Sequence, residues 1–164
     1  MPKVALIMGS DSDFPALESA VKTLKAFGVE VAVHVISAHR SPKRAEAFAA
    51  SAAKEGFEVI LAAAGKAAHL AGVLAANTPL PIIGIPIKAS LGGLDALLST
   101  VQMPDGIPVA TVAINGAKNA ALLAIQMLSL KYPELQKEII AFKEGLAAEV
   151  ERKDAALQEA VDQI

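Results

Sequence analysis

Five short apolar runs, each followed by a longer segment of helical period, constrain this chain more than any other feature. Val4-Ala5-Leu6-Ile7-Met8 and Val31-Ala32-Val33-His34-Val35-Ile36 are the first two. A strand buried on one face alternates polar and apolar residues; a strand buried on both faces does not. Near-continuous apolar strands are therefore the mark of a parallel sheet covered by helices. The pattern predicts strands over 3–8, 29–36, 57–63, 81–86 and 108–114. It predicts helices over 14–27, 42–55, 67–77, 93–102 and 117–130. Strict β-then-α alternation implies a doubly wound, three-layer α/β/α sandwich on a five-stranded parallel sheet.

Several boundaries have a local cause. Pro15 and Pro42 sit at helix starts, where a missing N–H costs nothing. Gly28 follows Phe27 as a C-terminal cap. Asn77-Thr78-Pro79 stops the third helix ahead of the fourth strand. The 164 residues suffice for a sizeable core, and no linker, low-complexity tract or fixed-period repeat divides them. A catalytic α/β domain is expected over 1–130, with a helical extension of it over 131–164. In that extension Leu135, Ile139, Phe142, Leu146, Val150, Leu157 and Val161 fall on one stripe. Two readings stand: a long helix docked on its own domain, or an arm lying on a neighbouring subunit.

Composition narrows the partners. Net charge is −2 with a pI near 5.9, which leaves no electrostatic footprint for nucleic acid. Cysteine is absent, which removes disulfides, thiolate metal sites and cysteine nucleophiles. The chain opens on a strand pattern without a signal peptide's basic region, and no apolar run reaches membrane-spanning length. A soluble, cytoplasmic protein without membrane partners is expected. Hydrophobic residues make up 54% of the chain, and mean hydropathy is +0.47. That exceeds the usual apolar share and predicts apolar surface buried between copies in a homo-oligomer.

Polar residues gather just past the strands. In an open parallel sheet, ligands bind in the crevice outside the carboxyl ends of adjacent strands. Gly9-Ser10-Asp11-Ser12-Asp13 follows the first run. Gly9 permits a tight bend, and the N–H groups opening the next helix favour an anion such as phosphate or carboxylate. Ser10 and Ser12 add hydroxyls. Asp11 and Asp13 oppose a crowded polyanion but suit sugar hydroxyls, which need acceptors. Plain helix capping by Ser or Asp is the structural alternative for any one of these residues.

Ser37-Ala38-His39-Arg40-Ser41-Pro42 follows the second run. His39 is the one imidazole at a strand's carboxyl end on a loop, and imidazole gives and takes protons near neutrality. Arg40 beside it is a fixed cation whose fork suits phosphate. His34 lies inside a strand pattern and reads as core or edge.

The third cluster is Ala62-Ala63-Ala64-Gly65-Lys66-Ala67-Ala68-His69. Small residues let a ligand approach the backbone closely. Gly65-Lys66 is not a P-loop: Ile60 stands where the earlier Gly is needed, and no Ser or Thr follows Lys66. His69 faces either the site or the interior. The stretch from Ser90 to Pro108 reads as a Gly-opened helix and a Pro/Gly turn with no chemistry demanded of it. No His/Asp/Glu spacing typical of a metal site occurs.

Taken in order, these motifs resemble a known family. Met8-Gly-Ser-Asp-Ser-Asp13, Ser37-Ala-His-Arg-Ser-Pro42, Gly65-Lys-Ala-Ala-His-Leu70 and Leu94-Asp-Ala-Leu-Leu-Ser-Thr-Val-Gln-Met-Pro104 are similar to the class I branch of the purine-biosynthetic AIR carboxylases. That branch is the bacterial N5-carboxyaminoimidazole ribonucleotide mutases. Gly106-Ile-Pro-Val-Ala-Thr111 and Asn119-Ala-Ala-Leu-Leu123 extend the likeness, which runs from about residue 3 to 130. Any one motif is weak; the ordered set is specific.

The resemblance implies a flavodoxin-like fold and a cofactor-free isomerisation. The carboxylate on the substrate's exocyclic nitrogen moves to carbon 4 of the imidazole, through carbon dioxide released inside a closed pocket. It makes His39 the proton shuttle, serving the amine and later taking the carbon 4 proton. Arg40 with Ser10 and Ser12 would hold the phosphate, Asp13 the ribose hydroxyls, and Ser37 and Ala38 would line the pocket. The backbone of Gly65, Lys66 and Ala67 would cradle the carboxylate, with His69 nearby. Members of the family are octamers with sites shared between subunits. The chain departs from the family pattern at three places. Lys66 stands where an uncharged residue is usual, Ala71 where Pro is common, and Ala96 where Ser is common.

Three other functions are open to such a chain. A class II enzyme would carboxylate aminoimidazole ribonucleotide directly with carbon dioxide. Its counterpart of the third cluster usually carries Ser-Asn-Gly, whereas this chain has Ala67-Ala68-His69-Leu70. A non-catalytic nucleotide-binding scaffold would not need His39, Arg40, Asp13 and Ser10 together. A flavin carrier would want aromatic residues near the ring, and the chain has five Phe, one Tyr and no Trp.

Overall fold

The computed structural model describes every residue, Met1–Ile164. Its sheet is five-stranded and all parallel in the order β2-β1-β3-β4-β5. The strands are β1 (Lys3–Met8), β2 (Glu30–Val35), β3 (Val59–Gly65), β4 (Ile82–Ile87) and β5 (Ala110–Thr111). The helices are α1 (Phe14–Ala26), α2 (Pro42–Ala52), α3 (Leu70–Ala76), α4 (Leu94–Val101), α5 (Ala117–Ser129) and α6 (Pro133–Val161). This strand order is the flavodoxin-like one, whose topological switch point lies between β1 and β3.

Period-2 side-chain alternation divides the strands between two cores. Val4, Leu6 and Met8 of β1, with Leu61, Ala63, Ile83 and Ile85, pack under α1, α5 and the start of α6. Ala5 and Ile7, with Ile60, Ala62 and Ile82, pack under α2 and α3. Both sets are buried, so β1, β3 and β4 read as unbroken apolar runs. Gly84 of β4 is where the second face packs most closely. A β-carbon there would collide with Thr100 of α4 and touch Ala71 of α3.

Four sequence expectations need correction. β2 is an edge strand, with Val33 and Val35 exposed and His34 half-buried, so it is not covered on both faces. β3 runs two residues later than expected, to Gly65. α3 begins at Leu70 rather than 67. Lys66 adopts φ +54°, and the Ala68 and His69 N–H groups close short turns onto Lys66 and Ala67 carbonyls. The fifth strand shrinks from 108–114 to Ala110–Thr111, two residues paired with β4 alone. Pro108 has no N–H to donate to a longer ladder.

Helix α6 divides the two readings of the C-terminal stripe between its halves. Leu135 and Ile139 are buried in the first core, and Phe142 packs edge-on against Phe27. Beyond them Leu146, Val150, Leu157 and Val161 are 46–66% exposed. The helix is 29 residues and about 44 Å long at 1.5 Å per residue, so roughly its second half lies bare. No helix is long and apolar enough to cross a membrane.

Candidate active site

Neighbouring strand ends build the site. Met8 pairs with Val35 on one side and Ala63 on the other, so β1 and β2 stop at one level, and β3 runs two residues further, to Gly65. Two more bonds extend the sheet past that level: Gly9 N–H donates to Ala63 O at 3.0 Å, and Ile36 N–H to Met8 O at 2.9 Å. The chain then leaves the sheet through three polar turns. Between them opens a crevice of about 470 Å³, within the range of small-ligand sites.

The first turn, Asp11–Asp13, is one 3-10 turn running into α1. Ser10 caps it by accepting the Ser12 N–H at 3.3 Å, and the two hydroxyls lie 2.8 Å apart. Asp13 lines the crevice. Burial, and secondarily the charge of Asp11, raises its carboxyl above the usual carboxylate range, while a hydrogen bond with the Ser10 backbone offsets part of this. Asp11 is exposed and stands outside the crevice lining.

The second turn is held by its serines. Ser41 Oγ donates to Ser37 O at 2.9 Å and accepts the Ser37 N–H at 3.0 Å. Ser37 Oγ in turn accepts the Arg40 N–H at 3.0 Å. These bonds fix a loop from which His39 and Arg40 project, both exposed. Ser37 and Ala38 line the crevice with them.

The third turn supplies Gly65, Lys66, Ala67 and His69. Gly65 cannot carry a side chain cheaply: a β-carbon would sit 3.1 Å from Ala89 Cβ and 3.3 Å from Ile87 O. His69, whose direction the sequence leaves open, faces the crevice. Its Nδ1 lies 2.8 Å from His39 Nε2, with the rings nearly perpendicular. One of those two nitrogens donates and the other accepts, so the tautomers of the two imidazoles are coupled.

The crevice thus combines an imidazole pair, two cationic side chains, one carboxylate, several hydroxyls and a wall of small residues. That set can hold an anion, orient a sugar and move a proton. No group of three or more His, Asp or Glu side chains converges to hold a metal ion. Ala64 and Leu70, which the sequence places in or beside the third cluster without a role, also line it, and Ala89 lines it from outside all three clusters. Ala89 follows β4, so the rule that finds the first three turns covers it, but alanine itself carries no chemical signal.

Comparison with known proteins fits this geometry. The sequence model of the family described as AIR carboxylase matches residues 3–149. The N5-carboxyaminoimidazole ribonucleotide mutase of Pyrococcus abyssi is 58% identical over 147 residues, covering 89% of this chain and 84% of the relative. The Thermotoga maritima protein of the same name is 50% identical over 160 residues, covering 97% of this chain and 94% of that one. The crystal structure of Treponema denticola PurE superposes with a TM-score of 0.85 at 30% identity, over 96% of this chain and 99% of that one.

Proposed function

The chain belongs to the AIR carboxylase family, and from that premise we infer that it is a mutase of purine biosynthesis. It converts N5-carboxyaminoimidazole ribonucleotide to 4-carboxy-5-aminoimidazole ribonucleotide. The family name rests on relatives at 50–58% identity over most of the chain. The observation that carries the mechanism is the His39–His69 contact, which puts two imidazoles within hydrogen-bond distance beside a wall of small residues.

The residues divide the work as follows. Ser10, Ser12, the N–H groups opening α1 and the Arg40 guanidinium hold the phosphate. Asp13 accepts the ribose hydroxyls. Ser37 and Ala38 support the ring from the β2 side, and the backbone of Gly65, Lys66 and Ala67 cradles the carboxyl group. Breaking the N–C bond of the carbamate leaves its electrons on nitrogen, which takes a proton from His39, and releases carbon dioxide. Carbon 4 then attacks the carbon dioxide, and the proton it sheds returns to His39. One proton leaves the imidazole and one comes back, so no other acid or base is required. The small residues Ala64, Gly65 and Ala67 leave room for the carbon dioxide close to the backbone.

The bare half of α6 and exposed Leu94, Leu98 and Val101 on α4 support a homo-octamer in which such faces are covered. The small-molecule substrate and modest net charge fit a cytoplasmic enzyme with neither nucleic-acid nor membrane partners. Turnover of freshly prepared N5-carboxyaminoimidazole ribonucleotide, set against aminoimidazole ribonucleotide plus bicarbonate, tests the reading. Fast conversion of the carbamate is expected. Turnover of the bicarbonate-fed mixture alone would make the chain a direct carboxylase, and turnover of neither would make it a binding scaffold.

A further inference from the structure

Lys66 has a part in this site that its backbone alone does not explain. Two cationic side chains besides the imidazoles line the crevice, Arg40 and Lys66, against the single carboxylate of Asp13. Neither joins any of the chain's four ion pairs, which link Lys3 to Glu30, Lys22 to Glu18, Lys131 to Glu58 and Lys153 to Glu149. They stand on opposite walls. Arg40 lies past β2 and Lys66 past β3, with β1 and its serine turn between them. Lys66 is exposed at φ +54°, a left-handed conformation that glycine takes freely and a β-carbon disfavours. A side chain kept at a backbone position suited to glycine points to a use for that side chain.

Substrate and product each carry two anions, a phosphate at one end and a carboxylate at the other. We propose that the Lys66 ammonium pairs with that carboxylate and is the residue by which this crevice selects a carboxylated ribonucleotide over the uncarboxylated one. The inference rests on the mutase reading above and names a determinant of its substrate preference. With Arg40 on the phosphate and Lys66 on the carboxylate, the two walls also fix which way round the ligand enters. Carbon dioxide is uncharged, so the ammonium grips both ends of the reaction more firmly than its middle. Binding of that kind lowers KM without raising kcat. Lys66 is in this sense a specificity residue, and the proton transfers belong to His39.

The test compares wild type with Lys66→Gly, Lys66→Gln and Lys66→Arg in turnover of N5-carboxyaminoimidazole ribonucleotide. Calorimetry of the same four proteins with aminoimidazole ribonucleotide, which has the phosphate and no carboxyl group, is the control. Glycine suits the local φ, so that variant removes the charge and leaves the backbone at ease. KM is expected to rise about tenfold in the Gly and Gln variants, the scale of one charge-assisted hydrogen bond. Over the same series kcat should hold or increase. Lys66→Arg should bring KM back to within about threefold of wild type, the remainder reflecting the different shape of the guanidinium. Affinity for the uncarboxylated ribonucleotide should be the same in all four. An unchanged KM in Lys66→Gly would overturn the proposal, because the ammonium would then point away from the carboxylate. An equal loss of affinity for the uncarboxylated ligand would overturn it too, because the lysine would then serve the phosphate. Calorimetry with the 4-carboxylated product reads the same preference without turnover. An inactive wild type would therefore sink the mutase reading and still leave Lys66 to be decided by that measurement.

Discussion

The two ends of the same strands treat charge in opposite ways. At the amino end, Lys3 at the start of β1 reaches Glu30 at the start of β2, 3.7 Å away, and its ammonium also sits over the Phe57 ring. Glu58, just before β3, accepts from Lys131 Nζ at 2.7 Å and Tyr132 Oη at 2.8 Å. Burial alone would push the Glu58 carboxyl up, but the bonds from Lys131 and Tyr132 outweigh it and hold it below the usual range. At the carboxyl end, Asp13, Arg40 and Lys66 stand in one crevice without a salt bridge among them, and burial pushes Asp13 the other way. One end spends its charges on the fold, tying the α5–α6 junction to the sheet. The other keeps them unpaired, at some loss of stability, for a ligand that brings the missing counter-charges.

Three substitutions probe that contrast. His39→Asn should have the largest effect, lowering kcat by a factor of about 10²–10⁴ while thermal unfolding stays where it was. His39 is exposed and its one hydrogen bond goes to His69. A large fall in Tm with partial activity would break the contrast by making the imidazole a structural group.

Glu58→Gln should do the reverse. Unfolding in denaturant should show a loss of about 1 kcal/mol with kcat and KM unchanged. The sign with pH follows from the lowered carboxyl. Its stabilisation is full above the unfolded-state value and is lost as pH falls through the folded-state value. The gap between wild type and variant should therefore close in acid, below the ordinary carboxylate range. A gap that widened there would mean the carboxylate is not held by Lys131 and Tyr132.

Asp13→Asn should have a smaller effect on the fold than Glu58→Gln and the opposite sign. A raised carboxyl costs nothing below its unfolded-state value and costs most above its folded-state value, so near neutral pH the neutral amide removes a penalty. Calorimetry should show Tm rising by less than about 2 °C, with KM several-fold higher as the ribose loses its anionic acceptor. A lower Tm would place Asp13 with Glu58 among the groups that hold the fold.

Most of the sheet is legible in the sequence, for a physical reason. Val4–Met8 of β1, Val59–Ala63 of β3 and all of β4 are buried on both faces, so those positions had to be apolar. What escapes is set by neighbours distant in sequence. Whether β2 lies inside the sheet or at its edge depends on strand order, which Val31 to Ile36 do not encode. The start of α3 depends on a left-handed Lys66, and an alanine-rich run offers no hint of it. In the site, Ser10, His39 and Arg40 can be picked out because polar residues directly after buried strands have few structural reasons to be there. His69 cannot be oriented that way, because its partner His39 is 30 residues earlier. Asp11 shows the converse error: adjacency in sequence to Ser10 and Asp13 did not bring it into the crevice.

Because β1 and β2 end at one level and β3 only two residues beyond it, the boundary between what folds this protein and what lets it act on a ligand is close to a plane rather than a list of scattered positions. Below that plane, Val4, Ala5, Leu6, Ile7 and Met8 of β1 are each committed to one of two cores, and a change of size there is felt through tightly packed neighbours. Above it, residues 9–13, 37–41 and 66–67 lie outside the strands. Such an arrangement lets descent tinker with selectivity while the scaffold stands still. A lysine in a turn that glycine would suit is the sort of alteration it permits.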